Sequence, residues 1–384
     1  MPDTHTPFAL TDAILFTGET FIEQQALLVK AGRIVDLVPI TAIPEGYQRQ
    51  SYPHAILAPG FIDTQVNGGD NVLLNETPSI ESVLKIVQAH RKTGTTRILP
   101  TCVTDDSVAI QRAVEAVRAA RPKDPSILGV HQEGPHLNQE YQGAHHAQWL
   151  RDLSTEDLAG YKAKNGEIYI LTLAPERTKP GQIRQLVQQG ITVCIGHTDA
   201  TQEQVKAALA EGARGFTHLY TRMPPIRTRA PGVAVYAMND ADSYCGIIGD
   251  GTHVDPELVK LALRAKKKDR LYFVSDASPA AGAEKAQPFK MSGVMAYPQD
   301  KICVNESGTI VGAKLTLGEC VVEAIKRMKL PPETVLRMAS TIPAAFLGLD
   351  KKFGYLLPNF EADIVALDHN FKATAVWRSG EKVF

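Results

Sequence analysis

The chain predicts an α/β fold, a (β/α)8 TIM barrel accompanied by a small β-domain, and three observations carry that prediction. Eight short apolar runs recur between residues 57 and 277, segments with apolar residues at helical spacing lie between them, and both termini consist of short runs rich in Ile, Val and Leu, broken at Gly or Pro. Eight strands within roughly 220 residues suit a barrel of about 250 better than an open sheet. A doubly wound sheet stays the alternative, because a strand count does not show closure.

At the N-terminus "AILFTG", "ALLVKAGRIVDLVPI" and "AILAP" read as strands, and at the C-terminus "ADIVALD", "ATAVWRSG" and "EKVF" repeat the texture. The two ends are expected to pair into one small domain around a larger middle. There the eight apolar runs are "LAPGFID", "TRILPT", "ILGVH", "IYILTLAP", "ITVCIGH", "GFTHL", "YCGIIGD" and "LYFVSDA". Helices are expected in "IESVLKIVQAHRKTG", "VAIQRAVEAVRAAR", "QIRQLVQQG", "EQVKAALAEG" and "PELVKLALRAKKK". Thr201 through Gln204 fits a capping box at the start of one of them.

Composition narrows the function classes. Over 384 residues, Lys and Arg total 41 and Asp and Glu 42, a formal net charge of -1, so no global basic field points to nucleic acid or an anionic membrane. Five scattered cysteines without a Cys-x-x-Cys pair favour reduced thiols and a cytoplasmic protein. No basic start leads into an apolar segment and no run approaches the length of a membrane span, which reads as a soluble, unexported chain. A periodic repeat is also lacking, which disfavours solenoids and propellers.

A barrel places its chemistry at the C-terminal ends of its strands, so the polar residues there are the candidates. His131 and Glu133 end or follow one run, His197, His218 and His253 three others, and Asp276 ends the eighth. Imidazole and carboxylate suit Zn²⁺ or a similar first-row cation, and a catalytic zinc keeps three protein ligands with one place open for water. Glu133, His197 and His218 supply such a set, with Asp276 placed to take and return a proton. The loop after His218, "TRMPPIRTRAPG", crowds Arg222, Arg227 and Arg229, whose guanidinium groups match phosphate geometry. Gly68, Gly69 and Gly251 match no P-loop or dinucleotide pattern, which leaves nucleotide binding without support.

"LAPGFID", "HQEGPHLN", "TLAPE", "GHTDA", "THLY", "IIGDGTHVD" and "VSDASPAAG" stand in the order and approximate spacing of the N-acetylglucosamine-6-phosphate deacetylases of the amidohydrolase superfamily, which the chain resembles from about residue 10 to its end. The resemblance implies a β-sandwich built from residues 1–56 and 356–384 and a catalytic barrel over residues 57–355. It implies Glu133, His197 and His218 as ligands of one divalent metal per subunit, zinc first, with Fe²⁺, Co²⁺ and Mn²⁺ as alternatives. It implies hydrolysis of the acetamide by metal-bound hydroxide, with Asp276 as general base and then acid and His145 polarising the carbonyl. His253 matches a phosphate contact, and Arg229 a phosphate-binding arginine contributed by the neighbouring subunit of a homodimer. His131, two residues before Glu133, reads as a residue that supports the ligands or the structure rather than as a ligand itself. Products are then acetate and glucosamine 6-phosphate.

Departures from the family pattern fall around the substrate. Thr221 and Arg222 replace the usual Asn-Ala, His136 stands where an aromatic is common, and Lys314 where small polar residues are usual. In "DTQVNGG" Gln65 and Asn67 occupy the positions of the two histidines that bind a second metal elsewhere in the superfamily, and neutral amides are poor ligands for a first-row cation. They are expected to hold the pocket and contact substrate or water. Two other readings stay open: a related amidohydrolase acting on another N-acyl amino sugar phosphate or a cyclic amide, and a catalytically silent scaffold.

Overall fold

The computed structural model describes residues 6–164 and 166–384. Eight strands form one sheet in strict sequence order: β1 (Phe61–Val66), β2 (Thr95–Val103), β3 (Gly129–Glu133), β4 (Ile168–Leu173), β5 (Ile191–Ile195), β6 (Gly215–Phe216), β7 (Tyr244–Ile248) and β8 (Leu271–Val274). Neighbours from β2 to β8 pair in parallel. A parallel bridge between Val66 and Ala277 and a bond from Asp276 N to Gln65 O (3.1 Å) join the last strand's end to the first. The (β/α)8 barrel is therefore the fold, and the doubly wound alternative falls.

Helices α1 (Ile80–Arg91), α2 (Ser107–Ala120), α3 (Thr155–Gly160), α4 (Gln182–Gln188), α5 (Gln202–Ala210), α6 (Gly232–Asn239) and α7 (Pro256–Ala265) fill the seven connections, and α8 (Leu317–Lys326) follows β8. Local chemistry sets their starts. Asp106 accepts from the amides of Val108 and Ala109 at the head of α2, and the expected capping box of Thr201 and Gln204 opens α5.

Two features depart from the simple reading of runs. "LAPGFID" splits at Pro59–Gly60, with Ile56–Pro59 joining the sheet of the termini and Phe61–Val66 the barrel. After β8, residues 289–313 form an antiparallel four-stranded sheet that the run count does not contain.

By contacts the chain divides into two compact units. One comprises the terminal residues through 63, 90–97 and 316–384; the other comprises 64–89 and 98–315. In the first, a four-stranded sheet runs in the order 33–39, 25–30, 8–11, 48–51, and a six-stranded one in the order 381–382, 373–378, 364–367, 56–59, 14–16, 21–22. Leu10, Leu27 and Val29 of one sheet pack with Leu15, Leu57, Ile364 and Trp377 of the other in one apolar core, the packing of a β-sandwich. Pairing of Ile364–Leu367 with Ile56–Pro59 brings the two ends of the chain together, as their shared texture predicts. Among the described residues no helix is long and apolar enough to cross a membrane. All five cysteines are buried, and none is in a disulfide.

Candidate active site

Strand ends build a cluster in the second unit. Glu133 is the last residue of β3, and His197 and His218 stand two residues beyond β5 and β6. All three are buried, and Glu133 Oε1 lies 3.1 Å from His197 Nε2 and 2.9 Å from His218 Nε2, while the two imidazole nitrogens are 3.0 Å apart. They are the one group of His, Cys, Asp and Glu side chains among the described residues with metal-binding spacing.

The donor set fits a divalent cation for a reason internal to the chain. His197 Nδ1 lies 2.8 Å from the Tyr141 carbonyl, which only accepts, so Nδ1 carries a proton and Nε2 is the nitrogen that offers a lone pair once its own proton is given up. That lone pair faces the carboxylate oxygen and a second imidazole nitrogen, an arrangement a cation stabilises. Burial pushes the Glu133 carboxyl up, but hydrogen bonds and charge from His197 and His218 outweigh it and hold it well below the usual range.

Backbone conformation marks the same residues. His197, His218 and Asp276 have φ of 50°, 31° and 51°, the left-handed region that side chains other than glycine rarely adopt. Such strain persists where surrounding structure enforces it. At His197 the enforcement is visible: Asn138 N donates to the His197 carbonyl (2.9 Å), and Glu176 accepts from Asn138 Nδ2 (2.8 Å), Asp199 N (2.9 Å) and the Thr198 hydroxyl.

Below the cluster lies a directional hydrogen-bond chain. His131 Nδ1 donates to the Thr64 carbonyl (2.9 Å), so its Nε2 accepts from the Thr172 hydroxyl (2.8 Å), and Thr172 in turn accepts from Thr217 (2.7 Å). Burial depresses the His131 imidazole to about 4, consistent with this neutral form. His131 thus belongs to the barrel interior.

The two amides grip carboxylates. Gln65 Nε2 donates to Glu133 Oε1 (3.1 Å) and Asn67 Nδ2 to Asp276 Oδ1 (2.8 Å). Asp276 is half-buried at its strand end, and desolvation together with the nearby Glu133 charge raises its carboxyl above the ordinary range against His218, His253 and Asn67. His145 Nε2 lies 3.8 Å from Glu133 Oε2, and burial with the neighbouring His197 pushes its imidazole down to about 3.

These groups border a pocket that also takes in Thr221, Arg222 and His253, but not Gln65 or Arg229. Arg222 donates to the Ile310 carbonyl (3.3 Å) and, among the described residues, makes no carboxylate contact within ion-pair distance. Thr221 Oγ1 and Asn67 Oδ1 are buried without a hydrogen-bond partner among the described residues. His253 Nδ1 donates to Asp250 Oδ2 (2.6 Å); Asp250 also accepts the amides of Thr252 and His253. Arg229 is exposed. His136 is buried in a separate network with Tyr161 and the Arg151 carbonyl, and Lys314 Nζ donates to the Gln299 carbonyl. Sequence reasoning passed over Asp250, although it lies inside "IIGDGTHVD", and Glu176, although it ends "TLAPE". Their partners are distant or backbone, and a motif does not spell those out.

A closed barrel with a buried Glu-His-His cluster at its C-terminal strand ends defines a metal-dependent hydrolase scaffold. The amidohydrolase family matches residues 56–383. An N-acetylgalactosamine-6-phosphate deacetylase of Shewanella sp. (strain ANA-3) is 36% identical over all of this chain and 98% of its own. An N-acetylglucosamine-6-phosphate deacetylase of Haemophilus influenzae is 29% identical over 97% of this chain and 98% of its own. The crystal structure of N-acetylglucosamine-6-phosphate deacetylase from Pasteurella multocida superposes with a TM-score of 0.92 at 32% identity, covering 98% of this chain and 99% of that one. The chain belongs to the amidohydrolase family, in the branch that holds these two kinds of amino sugar phosphate deacetylase.

Proposed function

We propose that the protein hydrolyses the N-acetyl group of N-acetylglucosamine 6-phosphate, giving glucosamine 6-phosphate and acetate. The observation that carries this reading is the convergence of three lone-pair donors, Glu133, His197 and His218, on one point beside Asp276, in a pocket with an arginine that makes no ion pair among the described residues. When bound there, a divalent cation, zinc in the first instance, supplies an activated water at neutral pH and a Lewis acid for the acetyl carbonyl.

The chain's own residues do the rest. Asp276, oriented by Asn67 through Oδ1, takes a proton from the attacking water and delivers it to the departing amine. Its raised pKa brings the carboxyl nearer the working pH, which suits both halves of that task. His145 directs Nε2 toward the side of the cluster where the carbonyl oxygen becomes negative. Arg222, His253 and Thr221 hold the sugar phosphate from within the subunit, and Arg229, too exposed to act in its own pocket, reaches the active site of a neighbour in a homodimer. Gln65 and Asn67 spend their amide protons on Glu133 and Asp276, an arrangement that supports one metal per subunit. We place the enzyme in the cytoplasm and retain residues 1–56 with 356–384 as its β-domain and 57–355 as its catalytic domain.

The same chemistry on the C4 epimer, N-acetylgalactosamine 6-phosphate, is the second reading, favoured by the 36% identical Shewanella relative. Metal content and acetate release measured on one metal-reconstituted sample, with both sugar phosphates and both free sugars, test the proposal. One metal per subunit and turnover confined to a phosphorylated sugar are expected. Negligible release from both phosphates by fully loaded protein sinks it.

A further inference from the structure

Thr104, one residue past β2 and 1% exposed, meets His145 with two donors at once. Its backbone N–H donates to His145 Nδ1 (3.2 Å), and its hydroxyl oxygen lies 2.8 Å from the same nitrogen. A backbone amide cannot accept, so Nδ1 holds a lone pair, and the imidazole, neutral in this form, carries its proton on Nε2. The hydroxyl has two possible acceptors, His145 Nδ1 at 2.8 Å and the Glu133 carbonyl at 3.3 Å. With Nδ1 already an acceptor, the shorter contact is attractive only when the hydroxyl donates to it. Nε2–H then points into the pocket, 3.8 Å from Glu133 Oε2.

The chain makes room for this contact at one position. Gly134 has φ of +85°, and a Cβ there would stand 2.2 Å from Thr104 Oγ1, so the glycine of "EGP" leaves the space that the hydroxyl fills.

We propose that Thr104 is a positioning residue for the deacetylation: it fixes His145 as the Nε2–H tautomer and aims that proton at the oxygen on which negative charge develops. The inference rests on the role given to His145 above. A donor held ready before the reaction needs no reorganisation when the charge appears, which is where such groups gain their effect.

Long-range ¹H–¹⁵N correlation on histidine-labelled, metal-free protein reads the tautomer directly, with His145→Gln identifying the signals. Wild type is expected to show His145 protonated at Nε2 and bare at Nδ1. In metal-loaded enzyme, Thr104→Val is expected to lower kcat by about tenfold with KM nearly unchanged, and Thr104→Ser to restore most of it. Protonation at Nδ1 in wild type overturns the proposal, and so does Thr104→Val with full kcat while His145→Gln is impaired. If His145→Gln itself keeps full kcat, the assignment of His145 to the reaction fails and the positioning role falls with it. Circular dichroism and metal content of each variant separate these outcomes from misfolding.

Discussion

Below the ligand cluster, Thr217, Thr172, His131 and the Thr64 carbonyl form a chain in which each hydrogen bond has one permitted direction. At the rim of the pocket the opposite holds: among the described residues Thr221 Oγ1 and Asn67 Oδ1 are buried with no partner, and Arg222 has one backbone carbonyl. Buried polar groups without partners cost free energy, on the order of 1–3 kcal/mol each. A fold tolerates that cost where something else completes the set. The paired floor fixes its groups in place, and the unpaired rim is where the proposed sugar phosphate would supply what is missing.

Asp276→Asn makes the largest expected break in this contrast. The amide keeps the shape and a contact to Asn67 but cannot take a proton, so kcat is expected to fall by roughly 10²–10⁴-fold while the metal content holds. Steady-state kinetics with metal analysis on the same preparation checks it, and unchanged turnover removes Asp276 from the mechanism.

A smaller, more selective effect is expected at the rim. Arg222→Met removes a cation but keeps much of its apolar stem, so KM for the phosphorylated sugar is expected to rise roughly tenfold or more with kcat little changed. Equal loss on phosphorylated and free sugars argues that the residue supports the loop rather than the phosphate.

The smallest effect on activity belongs to a paired histidine away from the pocket. His136 donates from Nδ1 to the Arg151 carbonyl (3.2 Å) and accepts the Tyr161 hydroxyl at Nε2 (2.9 Å), and burial lowers its pKa to about 4. A folded pKa below the unfolded value of about 6.5 makes the unfolded chain bind more protons between those limits. Stability is then full above about pH 6.5 and falls as pH drops toward 4, by about 3 kcal/mol at most from this residue. Urea denaturation of wild type and His136→Phe across that range is expected to show a flatter acid limb in the variant, with activity at neutral pH largely kept. Parallel limbs contradict the assignment.

What the sequence makes legible follows from how far each signal reaches. The eight runs, the α5 capping box and the pairing of the termini rest on local periodicity and short-range bonds, and each is present in the fold. Glu133, His197, His218 and Asp276 stood out because a barrel gathers its strand ends. Gln65 and Asn67 also stood out, but as groups facing substrate; that each amide donates to a carboxylate depends on side-chain direction across the barrel. Thr104 gave no signal at all, since a threonine after a strand is ordinary until a histidine 41 residues later folds against it. The sheet of residues 289–313 escaped because its strands are short, partly exposed and mixed in polarity.

The left-handed backbone at His197, His218 and Asp276 bears on whether this barrel is a silent scaffold. Each position disfavours its own residue by roughly 1–3 kcal/mol and would take glycine or asparagine with less strain. Random change released from selection for chemistry runs downhill toward those residues, because each such step relieves the fold. A barrel that only had to bind or brace another molecule has no reason to keep two imidazoles and a carboxylate in these three conformations. Other residues of the chain share this backbone region, but three of them meeting around one cluster is what selection for a reaction would hold in place.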